Sequence, residues 1–174
     1  MKVLFFISLA CVLSLSAQVL ISPHDAMNSA YPSSTNIEKK NMILSKKNAS
    51  IISKQSKTKL KSKIFRIFKA YKNEEIIGYG ILISKKVRSK NAVILYIISS
   101  DAVLKSIEII AFNEPLEYIP SKTWKSQFQN IQTSQMLRTS KEIPTITGAT
   151  LSARSITDGS RLAFAFYNQM LKSK

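Results

Sequence analysis

The sequence predicts an α+β fold: an antiparallel β-meander packed against a long C-terminal helix and a short helix, with an N-terminal signal or anchor helix. Three observations predict it. Between residues 63 and 112, four runs rich in Ile, Val, Leu and Phe are separated by short polar turns, and short connections favour antiparallel neighbours. From Leu151 to Lys172, small and apolar residues recur at helical spacing. Val3 to Ala17 is uncharged and largely apolar behind a positive start at Lys2. With 174 residues, 45% of them hydrophobic, the chain can build one core and carry an extension. It divides into a leader over 1–21, a basic polar linker with a short helix over 22–60, and a domain over 61–174.

The leader comes first. Its apolar run has the length of a signal-peptide core, and Ser14, Ser16 and Ala17 supply small residues for cleavage. Extended to Ile21, the run reaches the ~20 residues that cross a bilayer, so it could instead stay as an anchor. Either outcome places the remainder outside the cytoplasm, in a periplasmic or other extracytoplasmic space. Cys11 is the only cysteine and falls inside this run, so the chain can close no internal disulfide. Ser8-Leu9-Ala10-Cys11 fits a lipoprotein cleavage box poorly. His24 is the only histidine and stands in a polar segment, which gives histidine-based catalysis no support.

In the linker, Pro23 and Pro32 are expected to break any early helix. Ser45 is placed to cap a helix from Lys46 to about Gln55, with Ile51 and Ile52 touching the domain. The chain carries 26 Lys plus Arg against 10 Asp plus Glu, a formal +16, and such a surface favours anionic partners. The lysines from Lys39 to Lys63 read first as a solvated tether and second as a contact for an anionic membrane surface. No nucleic-acid partner is expected, because no aromatics interleave the lysines and no reader motif is present.

The meander follows. Lys63 to Tyr71 is rich in Ile and Phe, and Lys72-Asn73-Glu74 is a turn. Glu75 to Ser84 reads as a strand buried on both faces. Gly78 and Gly80 share one face of it, where a packing helix lying close is expected. Lys85 to Asn91 is a basic connection, Ala92 to Ser99 the next strand, and Val103 to Phe112 the last. In that last strand Val103, Ile107 and Ile109 are expected on the core face. Asn113-Glu114-Pro115 ends it. Ser121 is placed to cap a short helix whose Trp124 and Phe128 share a face and pack on the sheet. Asn130 to Glu142 reads as a polar, mobile loop. The final helix carries Ser152, Ile156, Gly159, Ala163, Phe166 and Met170 on one stripe.

At the start of that helix stands Thr147-Gly148-Ala149-Thr150, followed by Leu151 and Ser152. Gly148 permits backbone angles other residues resist. The amides that open a helix have no internal partners and, with the helix dipole, make a seat for a phosphate. Thr147 or Thr150 could also simply cap the helix.

This tetrapeptide resembles the S/T-G-A-T sequence of the FMN-binding domain family, which includes the flavin subunits of sodium-pumping quinone reductases and Rnf complexes. Val87-Arg88-Ser89-Lys90, Ala111-Phe112-Asn113-Glu114-Pro115, Glu117-Tyr118, Trp124 and Gln127-Phe128 add to the resemblance, which covers roughly residues 60 to 172. It implies covalent FMN, joined through its phosphate to Thr150 by a separate flavin transferase that uses FAD. Thr147, Gly148, Ala149, Leu151 and Ser152 would surround the attachment point, with Glu114 and Tyr118 near the ring. Glu114 could bond the flavin or a backbone amide. The family's attachment sequence usually has an aspartate six places before the threonine; here that place is Pro144. The implied function is an electron carrier serving a redox protein partner, ahead of an enzyme, since no acid/base pair accompanies the motif. The alternative is a basic module without flavin that docks on an anionic membrane or partner surface.

Overall fold

The computed structural model describes residues 18–172, so most of the expected leader lies outside the described residues. The elements in chain order are β1 (Gln18–Val19), α1 (Pro23–Ala30), β2 (Asn36–Ile43), α2 (Lys46–Ser56), β3 (Ile64–Lys72), β4 (Glu75–Lys86), β5 (Asn91–Ser99) and β6 (Val103–Phe112). A 3-10 turn (Leu116–Tyr118), α3 (Lys122–Ser126), β7 (Ile131–Gln132) and α4 (Thr150–Met170) complete the chain. The fold is α+β. A seven-stranded antiparallel sheet runs β1-β6-β5-β4-β3-β2, with β7 also on β6. The long C-terminal helix lies on it.

Strand period sends side chains to alternate faces, and both faces are covered. From β5, Ile94, Tyr96 and Ile98 point toward α4 and α2, whereas Leu95 and Ile97 point toward α1. Phe65 stacks on Phe166 of α4 with ring centroids 4.4 Å apart. α4 is buried over most of its circumference because the sheet, α2 and the segment around Leu137 and Ile143 surround it. Gly159 marks its closest approach. A Cβ there would collide with the Tyr96 hydroxyl, which donates to the Ile156 carbonyl at 2.9 Å. Trp124 and Phe128 pack in this same core, as expected, with centroids 5.1 Å apart.

Residues 22–60 depart from the expected linker. Pro23 does not break a helix but starts one, in the first-turn position where proline loses no helical hydrogen bond. Ser22 caps it by accepting from the Asp25 amide at 3.1 Å. β2 pairs with β3 over eight residues. Its lysines are those of an edge strand, where charge discourages further pairing. The short helix lies as expected: Ser45 accepts from the Asn48 amide, and Ile52 is buried against the core.

α1 is the helix that Gly78 and Gly80 accommodate. A Cβ on Gly78 would overlap the Tyr31 hydroxyl, and one on Gly80 would sit 2.6 Å from the Met27 sulfur. Tyr31 is fixed there, donating to the Ile98 carbonyl at 3.0 Å. Two register shifts between β5 and β6 correct the expected face of β6. The shift between Ile97 and Ile98 skips Lys105 and changes the parity there, so Leu104 rather than Val103 joins Ile107 and Ile109 in the core. The stretch from 130 to 142 is tied down: β7 pairs with β6, Leu137 is buried, and Arg138 forms an ion pair with Glu142.

Gly78→Ala is expected to lower the unfolding free energy by about 1–3 kcal/mol, because the Tyr31 ring it meets is buried and held at its hydroxyl. Urea unfolding of the variant beside the parent chain measures this. Equal midpoints would contradict the close seating of α1 on β4.

Candidate functional site

Packing of α4 on the sheet fixes where its first turn lies. The Ser155 hydroxyl donates to the Lys86 carbonyl at the end of β4, 3.3 Å away. That sets the N-terminus of α4 beside the β4–β5 connection, residues 87–90. The 3-10 turn forms the third wall. Between them is a cleft of about 270 Å³ lined by Val87, Arg88, Tyr118, Gly148, Ala149, Thr150, Leu151 and Ser152.

The helix opens without a side-chain cap. Ala149 occupies the N-cap position, and no side-chain hydrogen bond is made there. This corrects the expectation that Thr147 or Thr150 would cap it. Thr150 is instead the first helical residue, where its hydroxyl cannot reach the amides ahead. It donates backward to the Ile146 carbonyl at 3.3 Å and is exposed. The first helical acceptor, the Ala149 carbonyl, is taken by the Ala153 amide at 3.1 Å. The amides of Thr150, Leu151 and Ser152 precede that bond and so have no helical partner. Gly148 stands at φ +78° with open space where a Cβ would be. Its role is therefore conformational: the turn into the helix needs the left-handed region that glycine enters freely.

Ser152 is the second unusual feature. Four Ser and Thr residues of α4 are buried. Ser155, Thr157 and Ser160 each donate to a backbone carbonyl. The Ser152 hydroxyl, in a residue 1% exposed at the cleft wall, has no partner among the described residues. Leaving a buried hydroxyl unpaired costs roughly 1–3 kcal/mol. An unpaired hydroxyl, three free amides and the positive end of a 21-residue helix together suit an anion with several acceptor oxygens. The phosphate of an FMN ester on Thr150 fits these residues. At about 270 Å³ the cleft falls just below the ~300–1,000 Å³ of ligand pockets.

Glu114 does not line the cleft. It is 6% exposed, and one carboxylate oxygen accepts from the amides of Arg88, Ser89 and Lys90, with the Ser89 hydroxyl adding to it. Of the two partners considered for it, the backbone amides take it, so its place is to hold the connection that forms the cleft wall. Those amide bonds, Lys90's foremost, hold its carboxyl below the usual range against the opposing effect of burial. Tyr118 does line the cleft. The Arg88 guanidinium lies 6.0 Å from its ring centroid and donates to its hydroxyl at 3.4 Å. Thr147 is exposed in the turn before Gly148 and is not part of the lining.

Arg88 lines the cleft, a part that the sequence does not assign to it although the resemblance includes Val87-Arg88-Ser89-Lys90. Its signal is a four-residue basic connection joining two buried strands. Arg161, by contrast, is committed elsewhere, to the Ser56 and Leu137 carbonyls and to Asp158. Pro144 has a structural part: its carbonyl accepts from the Trp124 indole at 2.9 Å, tying the segment before the motif to α3. No protein-family model matches the chain, and no curated protein matches it in sequence.

Because Glu114 titrates lower in the folded protein, its contribution is present above the unfolded carboxyl value of about 4.3. It is lost as pH falls through the lower folded value. Glu114→Gln is expected to lower the unfolding midpoint at neutral pH and to flatten its decline below about pH 4.3. Urea midpoints across the acid range measure both; an unchanged acid slope would contradict the latch.

Proposed function

We propose that this chain is an extracytoplasmic electron-transfer flavoprotein carrying FMN covalently linked through its phosphate to Thr150. The observation that carries the reading is the orphaned Ser152 hydroxyl beside the uncapped first turn of α4, with the exposed Thr150 hydroxyl at its edge. The resemblance of Thr147-Gly148-Ala149-Thr150 to the FMN-attachment sequence supports the same reading. So does the apolar leader, which suits export from the cytoplasm.

In the attachment step, the Thr150 oxygen forms a bond to the FMN-side phosphorus of FAD. The pyrophosphate bond breaks, AMP leaves, and the hydroxyl proton is taken up by a base of the flavin transferase or by solvent. The ester keeps one negative charge. At a helix N-terminus that charge gains ~0.3–1 kcal/mol, and up to ~2 where partly buried. The amides of Leu151 and Ser152 and the Ser152 hydroxyl are the donors placed to hold it.

FMN supplies one- and two-electron redox chemistry when bound. The protein's part is orientation and electrostatics. Val87, Leu151 and the Tyr118 ring offer apolar surface to a ring face. Arg88 sets a positive charge at the wall, where it favours an added electron. On this reading electrons are exchanged between the flavin and a redox protein partner, ahead of catalysis on a small substrate. Outside the cytoplasm, a covalent bond also prevents loss of the cofactor by dilution.

A second reading rests on Pro144. Without a carboxylate there, the transferase would pass the chain over, and the same fold would serve as a basic module on an anionic membrane or partner surface. Coexpression with a flavin transferase separates the two. The tryptic peptide from Glu142 to Arg154 is expected to gain the mass of FMN less one water, and Thr150→Ala to abolish the gain. An unmodified peptide, with a known substrate labelled in parallel, would overturn the flavin reading.

A further inference from the structure

Among the described residues, nothing covers one apolar end of the sheet on the face that α1 occupies elsewhere. Register places a row of residues across it. Val19 pairs with Ala111, Ala111 with Val93, and Val93 with Ser84. Arg66 is the last residue of β3 paired with β4, opposite Leu82. Ile64 is therefore level with Ser84, and it pairs with Ile43 on the edge strand. α1 reaches only as far as the Gly78 and Gly80 end. Three of this row are among the most exposed large apolar side chains: Ile43 at 76%, Val19 at 66% and Ile64 at 60%. Single exposed apolar residues need no explanation, but an aligned set at one end does.

The charge around this row has one sign. Between Lys39 and Arg66 ten residues are Lys or Arg, and none is Asp or Glu. Where β3 and β4 part beyond Arg66 and Leu82, a groove of about 710 Å³ opens, and Lys57, Lys59, Lys61, Arg66, Lys85 and Lys86 line it. Asp158, the acid in its lining, already bonds Arg161 at 2.7 Å and lies 3.8 Å from Lys85. The basic groove is thus not neutralised from within. The chain also enters the fold here: Gln18, expected inside the leader, instead pairs with Phe112 at this end of β6, so the folded part begins before residue 21.

We propose that this end of the sheet docks on an anionic phospholipid bilayer, with Ile43, Ile64 and Val19 entering the headgroup layer and the lysine-lined groove taking lipid phosphates. An apolar set ringed by lysines matches an anionic interface on both counts, hydrophobic burial and charge. An acidic protein would satisfy the lysines but gives no reason for isoleucines at the tip. The entry point of the leader supplies the orientation. A membrane-held or newly exported chain would present this end first. Lys86 lines the groove and Val87 the Thr150 cleft, so docking would hold the cleft near the bilayer surface. The docking surface itself does not depend on modification of Thr150.

The test is co-sedimentation of the full chain with two kinds of vesicle: pure phosphatidylcholine, and equal parts phosphatidylcholine and phosphatidylglycerol. Any apolar partitioning by residues 1–17 adds to both, so the ratio of the two affinities isolates the folded surface. The parent chain is expected to prefer the anionic vesicles by about tenfold or more at low salt. The combined Lys57→Gln, Lys59→Gln and Lys61→Gln variant is expected to lose that preference. Ile43→Ser with Ile64→Ser is expected to weaken anionic binding by about tenfold. All five positions are exposed, and unchanged circular dichroism and unfolding midpoints confirm the fold of each variant. A ratio of one for the parent chain would overturn the proposal and leave the lysines to an acidic protein. Full binding by the isoleucine variant would overturn it as well.

Discussion

Burial of α4 across the sheet is the constraint from which the rest follows. A helix of this length places its two ends far apart, so seating it at one point fixes both. Gly159 provides that point, because only the absence of a side chain lets the Tyr96 hydroxyl reach the Ile156 carbonyl beneath it. Phe65 on Phe166 and the Ser155 bond to Lys86 then remove rotation about the contact. The first turn consequently faces the β4–β5 connection and no other part of the sheet. Glu114, from the end of β6, holds that connection by its amides. The cleft is thus built by core packing and one buried carboxylate, and its mouth is left open.

An uncapped helix start and an unpaired buried hydroxyl coincide in this cleft. Helix starts are ordinarily closed by a side chain, and buried hydroxyls ordinarily find a carbonyl. α4 does neither at Ala149 and Ser152, although its buried Thr157 and Ser160 hydroxyls do reach carbonyls further along. Local departures of this kind concentrate where a ligand completes the bonding. A phosphoester is a natural complement, since it brings several acceptors and one charge to a site holding donors and a dipole. Arg88 and Tyr118 opposite supply a cation and a ring face, the other two elements a flat electron carrier would use.

Strands β4 and β5 and helix α4 were legible because their periodicity is strong and their burial nearly complete. The Gly78 and Gly80 pair announced a close-packed element, and Ser45 and Ser121 announced two helix starts. β2 was hidden for a physical reason. As an edge strand it exposes most of both faces, so Lys39, Lys40 and Asn41 erase the alternation that marks a strand. α1 was hidden because Pro23 looks like a breaker until its position in the first turn is known. Leu104 replaced Val103 in the core through a bulge, which shifts parity without any sign in composition. At the site, Thr150, Gly148 and Ser152 were legible from one motif. Glu114 was placed in the right neighbourhood, but its partners were set by tertiary structure. Arg88 depended on a loop conformation held from twenty-six residues away.

The flavin account turns on the chemical state of one phosphorus atom. Phosphorus NMR of the chain matured with a flavin transferase reports it directly. A free FMN phosphate titrates with a second pKa near ~6, whereas an ester to Thr150 has no second proton to lose. The account predicts a single protein-bound resonance that stays fixed across neutral pH and survives unfolding in denaturant. A resonance that titrates near pH ~6, or one released when the chain unfolds, would show a dissociable ligand and contradict the covalent seat at the head of α4.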